Sequence, residues 1–292
     1  MSVPPPDQAA AHFGPAGMRR FSLTGTPGLR LPDAARDLLT ETGVPLLVTP
    51  YFRAAAETDA VALGTYAGHH GAERPQAGTD GWTRIGHDRL AQLCVRPDGA
   101  VQAVFLAGEA DDMFVATDLA SLIACLAALD RALPAIAAAP GLPAAAAAFR
   151  ELDEELRTID PSAFAERENW WPRVLDDVRH TLNFPFSSAF EYVDDAGNKQ
   201  IVTDATGPGR PHPEEIIHRR LEAEGVPTDR VRRVYCELQP CMMPGHYCAV
   251  WLQQAYPQAE FTHSFDYGET ADSREQGLKE LITYTAQQAG RR

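Results

Sequence analysis

The chain has few cysteines, no long apolar run and no surplus of positive charge, and each shortage excludes something. Five cysteines in 292 residues are too few, and odd in number, for a disulfide-stapled fold, so a reduced, cytoplasmic setting is expected. No stretch reaches the roughly 18 consecutive apolar residues that a spanning helix needs, so no membrane partner is expected. The opening MSVPPPDQAAAHFG has neither a basic n-region nor an apolar h-region, and no standard secretory signal is read there. Basic side chains number 26 against 40 acidic ones, a formal net charge of −14. That argues against a broad basic clamp for nucleic acid and leaves room only for a local basic groove. What is present is ordinary for a globular protein, with 45% apolar and 23% charged residues. The length suits two domains of roughly 100–200 residues, each with its own core.

Pro4, Pro5 and Pro6 suit neither a helix interior nor a central strand, so residues 1–15 read as a disordered lead. Leu31 to Thr42 reads as a short helix with Pro32 in its first turn and Gly43 as its stop, followed by a strand from Val44 to Phe52. Gly68 to Gly81 is a polar loop. His69 and His70 lie in it with no carboxylate or thiol at ligand spacing, and they read as solvated. Arg89–Val95 and Ala100–Leu106 flank Pro97-Asp98-Gly99, which predicts a hairpin. Thr117 or Asp118 caps a helix whose Leu119, Leu122, Ile123, Leu126, Leu129 and Leu133 recur at helical spacing. After the turn at Ile159-Asp160-Pro161, the residues Trp170, Trp171, Val174, Leu175 and Val178 form the apolar side of another helix. The boundary is expected near His180, which makes residues 16–180 an α+β domain.

This half resembles the SUKH superfamily of immunity proteins. The resemblance lies in its order of elements, in the strands from Arg84 to Leu106 ahead of the long helix, and in the closing IDPSAF…ENWWPRVLDDV. It implies a module that binds and neutralises a toxin, with no chemistry of its own.

Residues 181–292 have a different pattern. Two strands flank Asp195-Ala196-Gly197-Asn198, a strong hairpin signal. A Gly/Pro segment leads to His212-Pro213-Glu214-Glu215, which opens a helix ending before Gly225. A strand follows from Arg232 to Leu238. Then come Pro240-Cys241, a six-residue spacer, and Cys248 opening another helix. Glu260 to Tyr267 reads as a strand and Ala271 to Gln288 as a last helix. The order is β–β–α–β–α–β–α.

His212, Cys241 and Cys248 offer one imidazole and two thiolates, a donor set that zinc accepts while keeping a fourth position for water. Helix N-termini at both ligand sets favour the thiolate form. Zinc lowers the pKa of water from about 15.7 toward about 7, so a nucleophile exists at neutral pH. Glu214, two residues after His212, is placed beside the water and outside the metal shell. A His-x-Glu followed by Pro-Cys…Cys is the general signature of zinc nucleobase deaminases, with the Glu as proton shuttle. The competing reading makes Cys241 and Cys248 buried core thiols and His212 a loop histidine. Cys236 reads as a core thiol, His218 faces away from the ligands, and His246 either touches substrate or is solvated in the spacer.

The residues Glu237-Leu238-Gln239-Pro240-Cys241, Pro244-Gly245, Tyr247-Cys248 and Ser264-Phe265-Asp266-Tyr267-Gly268 resemble the Xanthomonas-type branch of bacterial toxin deaminases, within the cytidine-deaminase-like superfamily. The resemblance implies a three-layer α/β/α domain with a mixed central sheet. In it His212, Cys241 and Cys248 hold Zn2+ and Glu214 shuttles protons. The usual spacing of the two thiols is lengthened here, so Pro244-Gly245 must loop out and return Cys248 to the metal. The expected reaction is hydrolytic deamination of cytosine in nucleic acid, single-stranded DNA first among the substrates. A free nucleoside or nucleotide is the rival substrate and adenine the rival base. Phe184, Phe186, Phe265 and Tyr267 could stack on a base, and Arg210, with Arg230, Arg232 and Arg233, could meet phosphates; the same aromatics also suit a core. A third reading makes the chain a toxin-neutralising protein whose deaminase-like half is only a scaffold. Under any of these readings the expected partner of the immunity-like half is either a separate toxin or the neighbouring domain in cis.

Overall fold

The structure, a computed structural model, describes residues 6–24, 28–72, 78–106, 110–183 and 185–289. It divides into two compact units, Met1–Ala135 with Ala147–Leu175 and Ile136–Ala146 with Asp176–Arg292. The division falls at Leu175/Asp176, where the sequence suggested a boundary near His180.

The first unit begins with a helix, α1 (Pro6–Phe13), within the stretch expected to be a disordered lead. Pro6 occupies the first turn, where its missing N–H costs nothing, and strong helix formers follow. The helix is anchored because Ala9 is buried and His12 Nε2 lies 2.7 Å from Asp130. Strands β1 (Met18–Arg19) and β2 (Val44–Pro45) pair antiparallel. Between them α2 (Asp33–Asp37) continues as a π turn over Leu38–Thr42 and stops at Gly43, where φ is +83°.

A seven-stranded sheet follows, in the order β3 (Leu47–Val48), β4 (Phe52–Ala54), β6 (Thr83–His87), β7 (Gln92–Val95), β8 (Val101–Val104) and β9 (Met113–Ala116). Strand β5 (Val61–Ala62) pairs with β6, and helix α3 (Leu63–His69) follows β5. His69 and His70 are exposed at the end of α3. The β7–β8 hairpin turns through Gly99 at φ +93°.

Asp118 caps α4 (Leu119–Ala137) by accepting from Ser121 N at 2.7 Å. In length and composition α4 could cross a membrane, although 61% of its apolar window is buried inside the protein. Counting only unbroken apolar residues overlooks it, because Ser121, Asp130 and Arg131 interrupt a run that is apolar on average. Its Leu119, Leu122, Ile123, Leu126 and Leu129 are buried in the core, as the heptad-like spacing predicts. Helices α5 (Leu142–Ile159) and α6 (Trp170–Asn183) complete the set. Trp170 is fully buried and donates its indole N–H to Asp88 at 2.7 Å, so its polar atom is satisfied.

The second unit takes up the last residues of α6 and runs β10 (Ser187–Val193), β11 (Lys199–Ala205), α7 (Pro213–Ala223), β12 (Val231–Leu238), α8 (Cys248–Ala255), β13 (Glu260–Phe265) and α9 (Ala271–Ala289). The sheet order is β11-β10-β12-β13, with two antiparallel pairs and a parallel β12–β13 pair. A parallel neighbour needs a crossover, and α8 supplies it. The β10–β11 turn is held by Asp194 Oδ1, which accepts from Ala196 N and Asn198 N, with Gly197 at φ +82°.

Along β12, Val231, Val234, Cys236 and Leu238 are buried while Arg232, Arg233 and Tyr235 are exposed, so the strand turns one face to the core. That core gathers Phe190, Ile217, Val234, Trp251, Leu252, Tyr256, Leu278 and Leu281. The carboxyl end of β12 and the N-termini of α7 and α8 meet at one edge of it.

Candidate metal centre and active site

His212 is the residue before the first turn of α7, in extended backbone between Pro211 and Pro213. Cys241 lies just past β12, and Cys248 is the first residue of α8. The spacer between them is a tight loop. Gly245 has φ +79° and Tyr247 is left-handed at φ +46°. The carbonyl of Met243 accepts from His246 N and Tyr247 N, and Ala249 N donates to the Cys241 carbonyl at 3.0 Å. These turns bring Cys248 back beside Cys241, as the Pro244-Gly245 pair suggested.

The ligating atoms of His212, Cys241 and Cys248 all lie within 4.8 Å of one another, and all three residues are buried. Nδ1 of His212 is 3.5 Å from each sulfur. A tetrahedral zinc with ordinary Zn–N and Zn–S bonds separates nitrogen from sulfur by about 3.6 Å. The three donors therefore fit that ion in both chemistry and spacing.

The electrostatics agree. Burial alone would raise the Cys241 thiol, but the hydrogen bond from Cys248 and the neighbouring His212 hold it well below the usual thiol range. Burial and the adjacent Cys241 push the Cys248 thiol up. His212 is raised, since the Cys241 thiolate and Asp177 outweigh its burial. A thiolate paired with an imidazolium is a set of donors ready to exchange protons for a cation.

Behind the ligands lies a buried network that sequence reasoning missed. Asp177 Oδ1 sits 3.0 Å from His212 Nε2, and its Oδ2 sits 3.1 Å from His246 Nε2. His246 Nδ1 is 2.9 Å from Glu215 Oε2, which also accepts from His212 N at 3.3 Å. The two imidazoles stack with centroids 3.8 Å apart and planes 2° from parallel. Burial and the facing His212 act to lower His246, yet the two carboxylates push it up to about 9. His246 is thus buried and not solvated. One signal for Asp177 was available: it falls three residues after Val174, an acidic residue beside the apolar stripe of α6.

Glu214 is buried at the second position of α7, outside the group of candidate ligands. Ser188 on β10 donates to its Oε1 at 2.7 Å. Glu214 lines a narrow pocket together with His212, Cys241, Asp177, His180, Thr181, Phe186, Leu238, Gln239, Pro240 and Tyr267. Phe186 meets the His212 ring edge to face at 5.9 Å. The Tyr267 hydroxyl lies 2.5 Å from His180 Nδ1, and Gln239 Oε1 accepts from the backbone of Tyr267 and Gly268 at 3.1 Å each.

Of the expected substrate contacts, then, Phe186 and Tyr267 reach the pocket. Phe265 does not: it is half-buried and packs near Tyr284 at 5.7 Å. Arg210 does not either, being exposed and paired with Asp204 at 2.9 Å. Their positions follow from strand parity and local ion pairing, which the sequence pattern left open. Phe184 lies outside the described residues. Cys236 is a core thiol pushed up by burial and by Glu214, and His218 is bonded to the Tyr256 hydroxyl at 2.7 Å.

Comparison with known families gives two matches. Residues 4–177 match SUKH-4 immunity protein, and residues 185–284 match Xanthomonas-like deaminase. No curated protein and no solved structure matches the chain. With more than half of its length in the first match, the chain belongs to the SUKH-4 immunity protein family, and it carries a Xanthomonas-like deaminase domain behind that half.

Proposed function

We propose that the second unit is a zinc-dependent hydrolytic deaminase acting on cytosine in single-stranded nucleic acid, DNA foremost. One observation carries the reading: His212 and Cys241, two of three donors spaced for one metal ion, line the same narrow pocket as the buried, anchored carboxylate of Glu214. His212, Cys241 and Cys248 would hold the ion. Zinc there would supply Lewis acidity, lowering the pKa of a water toward about 7. Glu214, held at Oε1 by Ser188, takes a proton from the attacking water. It delivers that proton to the ring nitrogen of the base, then takes the second proton from the added hydroxyl and passes it to the departing amino group, which leaves as ammonia. Base and water thus become the keto base and ammonia. Phe186 and Tyr267 offer apolar and aromatic surface to a planar base. The helices around the mixed sheet are read as a three-layer α/β/α arrangement.

A free nucleotide is the second substrate reading, and a specific observation favours it. Arg210, Arg230 and Arg233 are ion-paired with Asp204, Asp195 and Glu260, and the chain carries a formal net charge of −14, so little positive potential remains for a long polyanion. The SUKH-4 half is proposed to bind a toxin, either a separate one or the deaminase domain in cis.

The test is mass-spectrometric product detection and ammonia release with the full chain on cytidine, dCMP, adenosine and cytosine-containing oligonucleotides. Conversion of the oligonucleotide that requires Glu214 supports the leading reading. Conversion of dCMP alone shifts it to the nucleotide. No ammonia from any substrate by metal-loaded protein overturns it.

A further inference from the structure

We propose that Asp177 is a positioning residue of the metal centre, holding His212 by its Nε2 so that the Nδ1 lone pair faces Cys241 and Cys248; this rests on the metal-centre reading above. Asp177 is the last residue of the SUKH-4 match and lies upstream of the deaminase match, which begins at 185. It nevertheless belongs to the second compact unit. The helix leading into the deaminase domain is on this account part of its site.

The argument is geometric. A neutral imidazole has one N–H and one lone pair, and the partner of one nitrogen decides the role of the other. Asp177, only 4% exposed, faces His212 Nε2 at 3.0 Å. A carboxylate accepts but does not donate, so it places the proton on Nε2 and the lone pair on Nδ1. In the neutral, metal-binding form that lone pair points toward the two sulfurs, 3.5 Å away, where Nδ1 of the metal-free imidazolium holds its second proton. His212 is held at three further points, two on its ring and one on its backbone. His246 stacks on its face, Phe186 meets it edge to face, and Glu215 binds its backbone N–H. The other oxygen of Asp177 holds His246 in turn, so one carboxylate orients both rings. Residues in this relation to a metal-binding histidine set the ligand's direction and basicity.

Asp177, His212 and His246 also bring their own ligand atoms within 4.8 Å of one another. An ion bound there would take up the carboxylate that otherwise orients His212, so a second ion per chain would contradict the assignment.

The experiment uses the full chain with cobalt(II) as a spectroscopic probe, comparing wild type, Asp177→Ala and Asp177→Asn. The wild type is expected to bind one ion per chain with thiolate-to-cobalt charge-transfer absorption. Asp177→Ala should keep that absorption, shift the ligand-field bands, and bind about 10–100-fold more weakly in chelator competition. Asp177→Asn retains an acceptor oxygen and should recover much of the affinity. Unchanged affinity and bands in folded Asp177→Ala overturn the proposal, as does a second ion per wild-type chain. Should Asp177→Ala not fold, nitrogen NMR of histidine-labelled, zinc-loaded wild type decides: a protonated Nε2 on His212 supports the proposal and a protonated Nδ1 overturns it. A wild type without thiolate-to-cobalt absorption sinks the metal-centre reading itself, an outcome distinct from failure at Asp177 alone.

Discussion

Glu214 and the three donors have separable duties at the residue scale, and substitution should separate them. Glu214→Gln keeps the volume and a hydrogen bond to Ser188 but cannot shuttle a proton. Turnover should fall by about 10²–10⁴-fold with metal content unchanged, read by ammonia release and metal analysis. Cys241→Ser or Cys248→Ser should instead lose the metal and lower the melting temperature, because ion binding and folding are coupled at such sites.

His180 gives a pH signature. Burial, foremost among its surroundings, lowers its pKa from 6.5 to about 4. The unfolded chain therefore takes up the proton first as pH falls. The stability His180 contributes is complete above about pH 6.5 and drains away as pH drops toward about 4, by on the order of 3 kcal/mol. Urea unfolding at pH 7 and near pH 4.5 checks this: the drop should be smaller by that share in His180→Gln than in wild type.

The packing of elements against one another governs a second group of outcomes. Gly277 lies inside α9, where glycine is normally unfavourable by about 1 kcal/mol against alanine. A Cβ there would stand 1.8 Å from the carbonyl oxygen of Asp266, so the absent side chain lets α9 close onto the segment that carries Tyr267. Helix propensity alone predicts that Gly277→Ala stabilises. Overpacking predicts a loss of about 1–3 kcal/mol, which we expect to win because the obstacle is backbone. A lowered melting temperature with altered substrate KM would match this, since Tyr267 lines the pocket. The spacer loop works on the same principle: Gly245 and Tyr247 adopt positive φ, which reverses the chain tightly enough for two sulfurs to reach one imidazole.

The whole molecule is a fusion whose family matches and compact units do not share a boundary. The SUKH-4 match ends at 177, the deaminase match begins at 185, and the second unit begins its main span at Asp176 and also takes in Ile136–Ala146. A fragment of residues 185–292 therefore lacks Asp177 and His180. It should retain less metal than a fragment of residues 136–292, measured as ions per chain after dialysis against a weak chelator. Equal retention by both fragments would show that the helix upstream of the deaminase match contributes nothing to the centre.

The α+β pattern of the first half, the β–β–α–β–α–β–α order of the second, and the spacing of His212, Glu214, Cys241 and Cys248 were legible in the sequence because each rests on local physics. Turn residues impose their own φ, caps satisfy nearby N–H groups, and apolar periodicity marks a face. Helix α1 escaped notice because its stability comes from burial of Ala9 and the contact of His12 with Asp130, far away along the chain. Asp177, His246, Glu215 and Ser188 escaped for the same reason. Asp177 alone had a local mark, its place beside the apolar stripe of α6, and nothing in the sequence gives partners 26 or more positions away. Which aromatics line the pocket also depended on tertiary structure, since Phe186, just ahead of β10, and Phe265, at the end of β13, look alike on paper and differ only in where the fold places them. Sequence determined which atoms could bind a cation and move a proton; folding decided that they meet, what orients them and what walls them in, because distances between remote residues are set by packing and not by spacing.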